Sequence, residues 1–105
     1  MRLIAIGTIK KYWEKQPESE AHLKSWYQEV ESASWHKSSE LKSQYRNASI
    51  LTSKRVVFNI KGNKFRLLVD IEYRLKIVFI VWIGTHEEYD KINAKTISYV
   101  KTNKK

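Results

Sequence analysis

The stretch "KIVFIVWIG", residues 76–84, has no charge after Lys76 and no alternation of polar and apolar side chains. A strand that is apolar on both faces belongs inside a sheet, with partner strands beside it and packed cover on at least one side. The residues before it supply the partners. "VVFNI" (56–60) and "FRLLVDIEY" (65–73) keep a period of two and predict two further strands. "KGNK" (61–64) between them offers Gly62-Asn63 as a two-residue hairpin turn.

The first half of the chain reads differently. "RLIAI" (2–6) predicts a short strand ended by Gly7, and "TIKKYWEKQP" (8–17) a short helix with Thr8 as N-cap, stopped before Pro17. A second helix is expected from near Glu18, because Leu23, Trp26, Tyr27 and Val30 fall on one helical stripe. From "SASWHKSSE" to "NASILTSKR" the periodicity lapses, which predicts a loop with one helical turn and Trp35 plugging the core edge. The expected fold is α+β: an N-terminal strand, two helices, then an antiparallel sheet with a short C-terminal helical segment. One domain over 1–105 accounts for the length, with the tail 101–105 frayed.

Cysteine is absent, which excludes disulfides and thiolate metal sites. The N-terminus is too short in apolar residues for a signal peptide, and no run approaches a membrane span, so a soluble, cytoplasmic protein is expected. Charge is unevenly placed. Residues 1–40 hold six Lys/Arg and six Asp/Glu, whereas residues 41–105 hold fourteen and five, so the whole net charge of +9 lies in the second part. That asymmetry points to a polyanionic partner, nucleic acid above all, with an acidic protein as the other reading.

Register locates the cations. A Gly62-Asn63 turn places Lys61 opposite Lys64, Asn59 opposite Arg66 and Val57 opposite Leu68. Asn59, Lys61, Lys64 and Arg66 then form one basic patch, and Phe58, Ile60, Phe65 and Leu67 the apolar face. Lys61 and Lys64 repel unless an anion lies across them. A tight turn at 73–74 or 74–75 sets Arg66 opposite Val81 or Ile83, which brings the residues after the apolar strand beside the patch. Those residues are "GTHEEYD". Thr85 and Glu88 make a capping box that opens a helical turn. The box leaves His86, Tyr89 and Asp90 on one face, with Asp90 able to orient the imidazole. A cap with solvated charges, a two-ligand metal pair and an acid/base corner all fit this spacing; the metal pair is incomplete, since His22 and His36 lie elsewhere.

The segment "VVFNIKGNKFRLLVDIEYRLKIVFIVWIGTHEEYDKI" resembles the HigB toxins of bacterial type II toxin–antitoxin systems, through "GNK" with Arg66 and "TH" followed by "EYD". The resemblance implies a RelE-like fold and mRNA interferase activity without a cofactor or metal. It implies that Arg66 serves at the scissile phosphate and that His86 and Tyr89 transfer protons, with Asn63 and Lys64 belonging to the motif as RNA contacts. It also implies mRNA, on the ribosome, and a helix-turn-helix antitoxin of the HigA type as partners. Some relatives carry an arginine on the last strand. Here that strand has no cation after Lys76, so the cations come from 59–66. A non-catalytic RNA- or DNA-binding module explains the charge equally and treats "THEEYD" as a cap alone. Tyr45 and Tyr73 are further candidates for stacking on a base.

Overall fold

A computed structural model describes residues 1–98; the tail 101–105 lies outside the described residues. The three strands expected from the period-two pattern are β3 (Arg55–Ile60), β4 (Phe65–Glu72) and β5 (Ile77–Thr85). They form an antiparallel meander, and β1 (Arg2–Ile4) and β2 (Ser49–Ile50) complete a five-stranded sheet in the order β1-β5-β4-β3-β2. The sheet is mixed, because β1 runs parallel to β5. That pairing puts β5 between two strands, as its two apolar faces require.

Helices α1 (Gly7–Lys15), α2 (Glu20–Ser32) and α3 (Ser38–Gln44) precede the meander. Ile9, Leu23, Trp26, Val30 and Leu41 pack with Phe58, Ile60, Phe65, Leu67, Val78 and Ile80 in the main core. Trp26 and Tyr45 set their rings edge-on against Phe58, at 5.3 and 5.0 Å. Trp35 is buried in the main core, stacked on Phe58.

The N-terminal details depart from the sequence reading. Thr8 is not the cap of α1. Ala5 turns the chain with φ of 68°, so the helix starts at Gly7, and the Thr8 and Ile9 amides donate to the Ala5 and Ile6 carbonyls. Pro17–Ser19 forms a separate 3-10 turn, which moves the start of α2 to Glu20. The loop expected around residue 40 contains α3, two turns long.

The opposite face of the sheet has a smaller apolar cluster. Val57, Leu68 and Val81 are buried under Leu51, Tyr89, Ile92, Ala94 and Ile97, so the residues after β5 return across the sheet. Among the described residues no helix is long and apolar enough to cross a membrane.

Candidate functional site

Between β3 and β4 the expected register holds: Asn59 pairs with Arg66 and Val57 with Leu68. Between β4 and β5 it does not. Glu72 pairs with Ile77, the register of a turn at 74–75, but Leu68 pairs with Trp82 and Val69 with Ile80. Val81 is therefore an extra residue in a bulge, and Arg66 lies opposite Gly84 rather than Val81 or Ile83. The bulge turns both Val81 and Trp82 onto the smaller cluster. Glycine suits the position. A Cβ there would stand 2.5 Å from the Trp82 ring and 2.7 Å from Glu88 Oε1.

The short helix α4 (His86–Tyr89) starts at this point. Its capping box is complete: the Glu88 amide donates to Thr85 Oγ1 at 3.1 Å, and the Thr85 amide donates to Glu88 Oε1 at 2.8 Å. The His86 amide donates to the Lys64 carbonyl at 2.9 Å and ties the helix to the β3–β4 hairpin. The box accounts for Glu88 and leaves His86, Tyr89 and Asp90 free for other work.

Those residues meet Arg66. Its Nη1 donates to Asn59 Oδ1 at 2.7 Å, and its Nη2 donates to His86 Nδ1 at 2.8 Å. The guanidinium carbon stands 5.4 Å from the centre of the Tyr89 ring, which leans on Trp82. Asn59 is held in turn, since its Nδ2 donates to the Asn47 carbonyl at 3.2 Å. Arginine only donates, so His86 Nδ1 accepts and the imidazole proton sits on Nε2, 3.6 Å from Asp90 Oδ2. Arg66 Nε is buried without a hydrogen-bond partner. Among the described residues the groups that contact this guanidinium, Asn59, His86 and the Tyr89 ring, bring no negative charge, so its positive charge is not cancelled by them.

The lysines form a second group. Lys61 Nζ lies 2.9 Å from Glu18 Oε1 and Lys64 Nζ lies 2.8 Å from Glu18 Oε2. The expected single patch is thus divided: Arg66, Asn59, His86, Tyr89 and Asp90 come together, and Lys61 and Lys64 converge on the 3-10 turn before α2. Their hydrogen bonds hold the Glu18 carboxyl down at about 2. Asn63 is exposed in the hairpin turn. Tyr45 and Tyr73 pack against the main core. Burial, followed by its hydrogen bond to Glu29, raises the Tyr45 hydroxyl, and burial raises that of Tyr73.

Two residues that matter here were not singled out by the sequence reading. Glu18 was read only as a helix start. Arg55 stands just before the first period-two run, and it binds Asp70 through Nε–Oδ1 at 2.5 Å and Nη2–Oδ2 at 3.1 Å. Its Nη1 donates to the Ala94 and Ile97 carbonyls at 2.9 and 2.8 Å, which straps the returning segment onto the sheet. The extended hairpin register pairs Arg55 with Asp70, so this signal was present in the sequence.

Among the described residues no three His, Cys, Asp or Glu side chains converge as metal ligands. No curated protein matches the chain. Residues 19–92, more than half of the chain and the part that builds this site, match the family described as HigB toxin, the RelE-like toxic component of a toxin–antitoxin system, and the chain belongs to that family.

Proposed function

We propose that this toxin is an mRNA interferase, a metal-independent endoribonuclease that cleaves mRNA on the ribosome and so stops translation in the cytoplasm. The carrying observation is the Arg66 guanidinium, held at 2.7–2.8 Å by the neutral acceptors Asn59 and His86. A fixed donor with uncancelled charge suits a phosphate whose charge grows in the transition state. Arg66 has five N–H groups; one goes to Asn59, one to His86, and Nε is buried, which leaves two for phosphate oxygens.

Metal-free RNA cleavage uses the 2′-hydroxyl as nucleophile and needs a base, a cation at the phosphorane and an acid for the 5′-oxygen. His86, Arg66 and Tyr89 fill these roles in that order. At rest the His86 Nδ1 lone pair is engaged by Arg66. A phosphate oxygen that takes the Nη2 donor releases that lone pair beside the 2′-hydroxyl, and Asp90 steadies the Nε2–H side of the ring. Substrate binding and activation of the base are then one event. The 2′-hydroxyl proton passes to His86, the P–O5′ bond breaks, and Tyr89 protonates the leaving oxygen, giving a 2′,3′-cyclic phosphate and a 5′-hydroxyl. Lys61, Lys64 and Asn63 contact the RNA beyond the cut. Positioning of mRNA by the ribosome supplies the orientation that so small a protein does not.

As a toxin of a toxin–antitoxin system the protein has an antitoxin partner. A HigA-like helix-turn-helix protein that lays an acidic segment over Arg66, Lys61 and Lys64 would cancel the charge and exclude RNA together. The test is induced expression with and without that partner, with cut sites in cellular mRNA mapped. Growth arrest with new mRNA ends, both suppressed by the antitoxin, is expected. Arrest with intact mRNA would favour a non-catalytic RNA-binding module.

A further inference from the structure

Two lysines facing each other across a hairpin turn would repel, and here one carboxylate spans both. Glu18 takes Lys61 on Oε1 at 2.9 Å and Lys64 on Oε2 at 2.8 Å, with Lys64 also 2.9 Å from Oε1. A carboxylate gripped through both oxygens by two ammonium groups has the charge and donor set of a bound phosphodiester. The Asn59–Arg66 rung is two residues along β3 and β4 from Lys61 and Lys64. At the backbone the two rungs are roughly 6–7 Å apart. The lysines turn toward Glu18 on the helix side while Arg66 shares the face of Val57 and Leu68, so an RNA strand that touches both wraps the hairpin tip. The Lys64 carbonyl also receives the His86 amide, which ties the turn to the Arg66 corner.

We propose that Lys61 and Lys64 form a second phosphate subsite, at the tip of the hairpin that carries Arg66, and that Glu18 occupies it as an internal stand-in until an RNA phosphate displaces it. The proposal rests on the RNA reading of the Arg66 corner and adds to it a resident competitor. The three side chains are exposed, so exchange needs no backbone opening. Exposed ion pairs are weak, so a phosphate of the same charge on a strand already held at Arg66 can displace the carboxylate. The Glu18 carboxyl stays ionised down to about pH 2, so competition by RNA, not protonation, opens the subsite.

The test is equilibrium binding of a 2′-O-methyl oligoribonucleotide, which cannot be cleaved through its 2′-oxygen, to the full chain. Four proteins are compared: wild type, Glu18→Gln, Lys61→Gln with Lys64→Gln, and the triple variant. Glu18→Gln should tighten binding about three- to tenfold, the range implied by exposed pairs. The double lysine variant should bind about tenfold more weakly, with a salt slope smaller by roughly 1.4, as expected when two phosphate contacts on a single strand are lost. In the double lysine background Glu18→Gln should change nothing. An equal gain from Glu18→Gln in both backgrounds would mean a general charge effect and overturn the proposal. So would wild-type RNA affinity in the double lysine variant, including the case in which only antitoxin binding is lost. Because the probe is not cut, failure of the cleavage reading would leave this result standing, and failure here would leave Arg66 untouched.

Discussion

Arg55 and Arg66 lie on neighbouring strands and on the same face of the sheet, yet they are held in opposite ways. Arg55 has a carboxylate on two nitrogens and two backbone carbonyls on the third, so its charge is cancelled and all three of its nitrogens are engaged. Arg66 has an amide oxygen, a neutral imidazole nitrogen and an aromatic face, and none of these carries charge. The first arrangement stabilises the fold by pinning the returning segment over Val57 and Leu68. The second arrangement holds a cation rigid while leaving it electrostatically unsatisfied, which costs stability and makes sense only if an anion arrives. On the proposed function, what separates the structural Arg55 from the catalytic Arg66 is the charge of their partners, not burial or the number of contacts.

The largest expected effect follows from that contrast. Arg66→Ala should lower mRNA cleavage by about 10²–10³-fold, the usual cost of losing one fixed transition-state donor, with little change in thermal stability. Arg66→Lys should recover little, because a single ammonium cannot bridge Asn59 and His86 and still reach a phosphate. Full cleavage by a folded Arg66→Ala protein, measured on translating ribosomes, would break the comparison.

The next effect concerns the proton carriers. His86→Gln preserves the capping box and offers an oxygen to Arg66, so the guanidinium stays in place and only proton transfer is lost. Cleavage should fall about 10²-fold, within the range of general acid–base catalysis, while RNA affinity barely moves. Tyr89→Phe should lose as much or less, since the ring contacts to Arg66 and Trp82 remain. Unchanged cleavage in both variants would reduce the corner to a helix cap.

Arg55→Ala should show the reverse pattern. Breaking a mostly buried pair and two carbonyl contacts should cost about 1–3 kcal/mol, a fall in Tm of roughly 5–15 °C for a domain of this size. Cleavage per folded molecule should change only a few-fold. A stable Arg55→Ala protein that had lost activity would erase the distinction between the two arginines.

The hairpin half of the site was legible in the sequence because Gly62-Asn63 fixes the pairing of Asn59 with Arg66 locally. The other half was not, because the Val81 bulge has no local signature. Its trace is Gly84, a residue without a side chain where Trp82 and Glu88 close over the backbone. The division of the basic patch was also out of reach, since Glu18 is 43 residues from Lys61, although the repulsion between two opposed lysines indicated that an anion was missing. Tertiary contacts between distant segments, α2's approach and the returning C-terminal segment, decided what strand periodicity could not.

The smallest effect is one of pH. The folded-state carboxyl of Glu18 is depressed from 4.5 to about 2, so the ion pairs contribute stability above about pH 4.5 that is lost as pH falls through 2. Because all three groups are exposed, Glu18→Gln should leave stability at pH 7 almost unchanged and slightly flatten its decline across that acid window in chemical denaturation.

The most direct measurement of the central claim is the chemistry of the cut ends. mRNA cleaved by the wild-type protein on ribosomes should carry a 2′,3′-cyclic phosphate and a 5′-hydroxyl. A single 2′-deoxy substitution at the cut site should abolish cleavage there. Ends bearing a 5′-phosphate and a 3′-hydroxyl, or undiminished cleavage of the 2′-deoxy substrate, would contradict attack by the 2′-hydroxyl at the Arg66 corner.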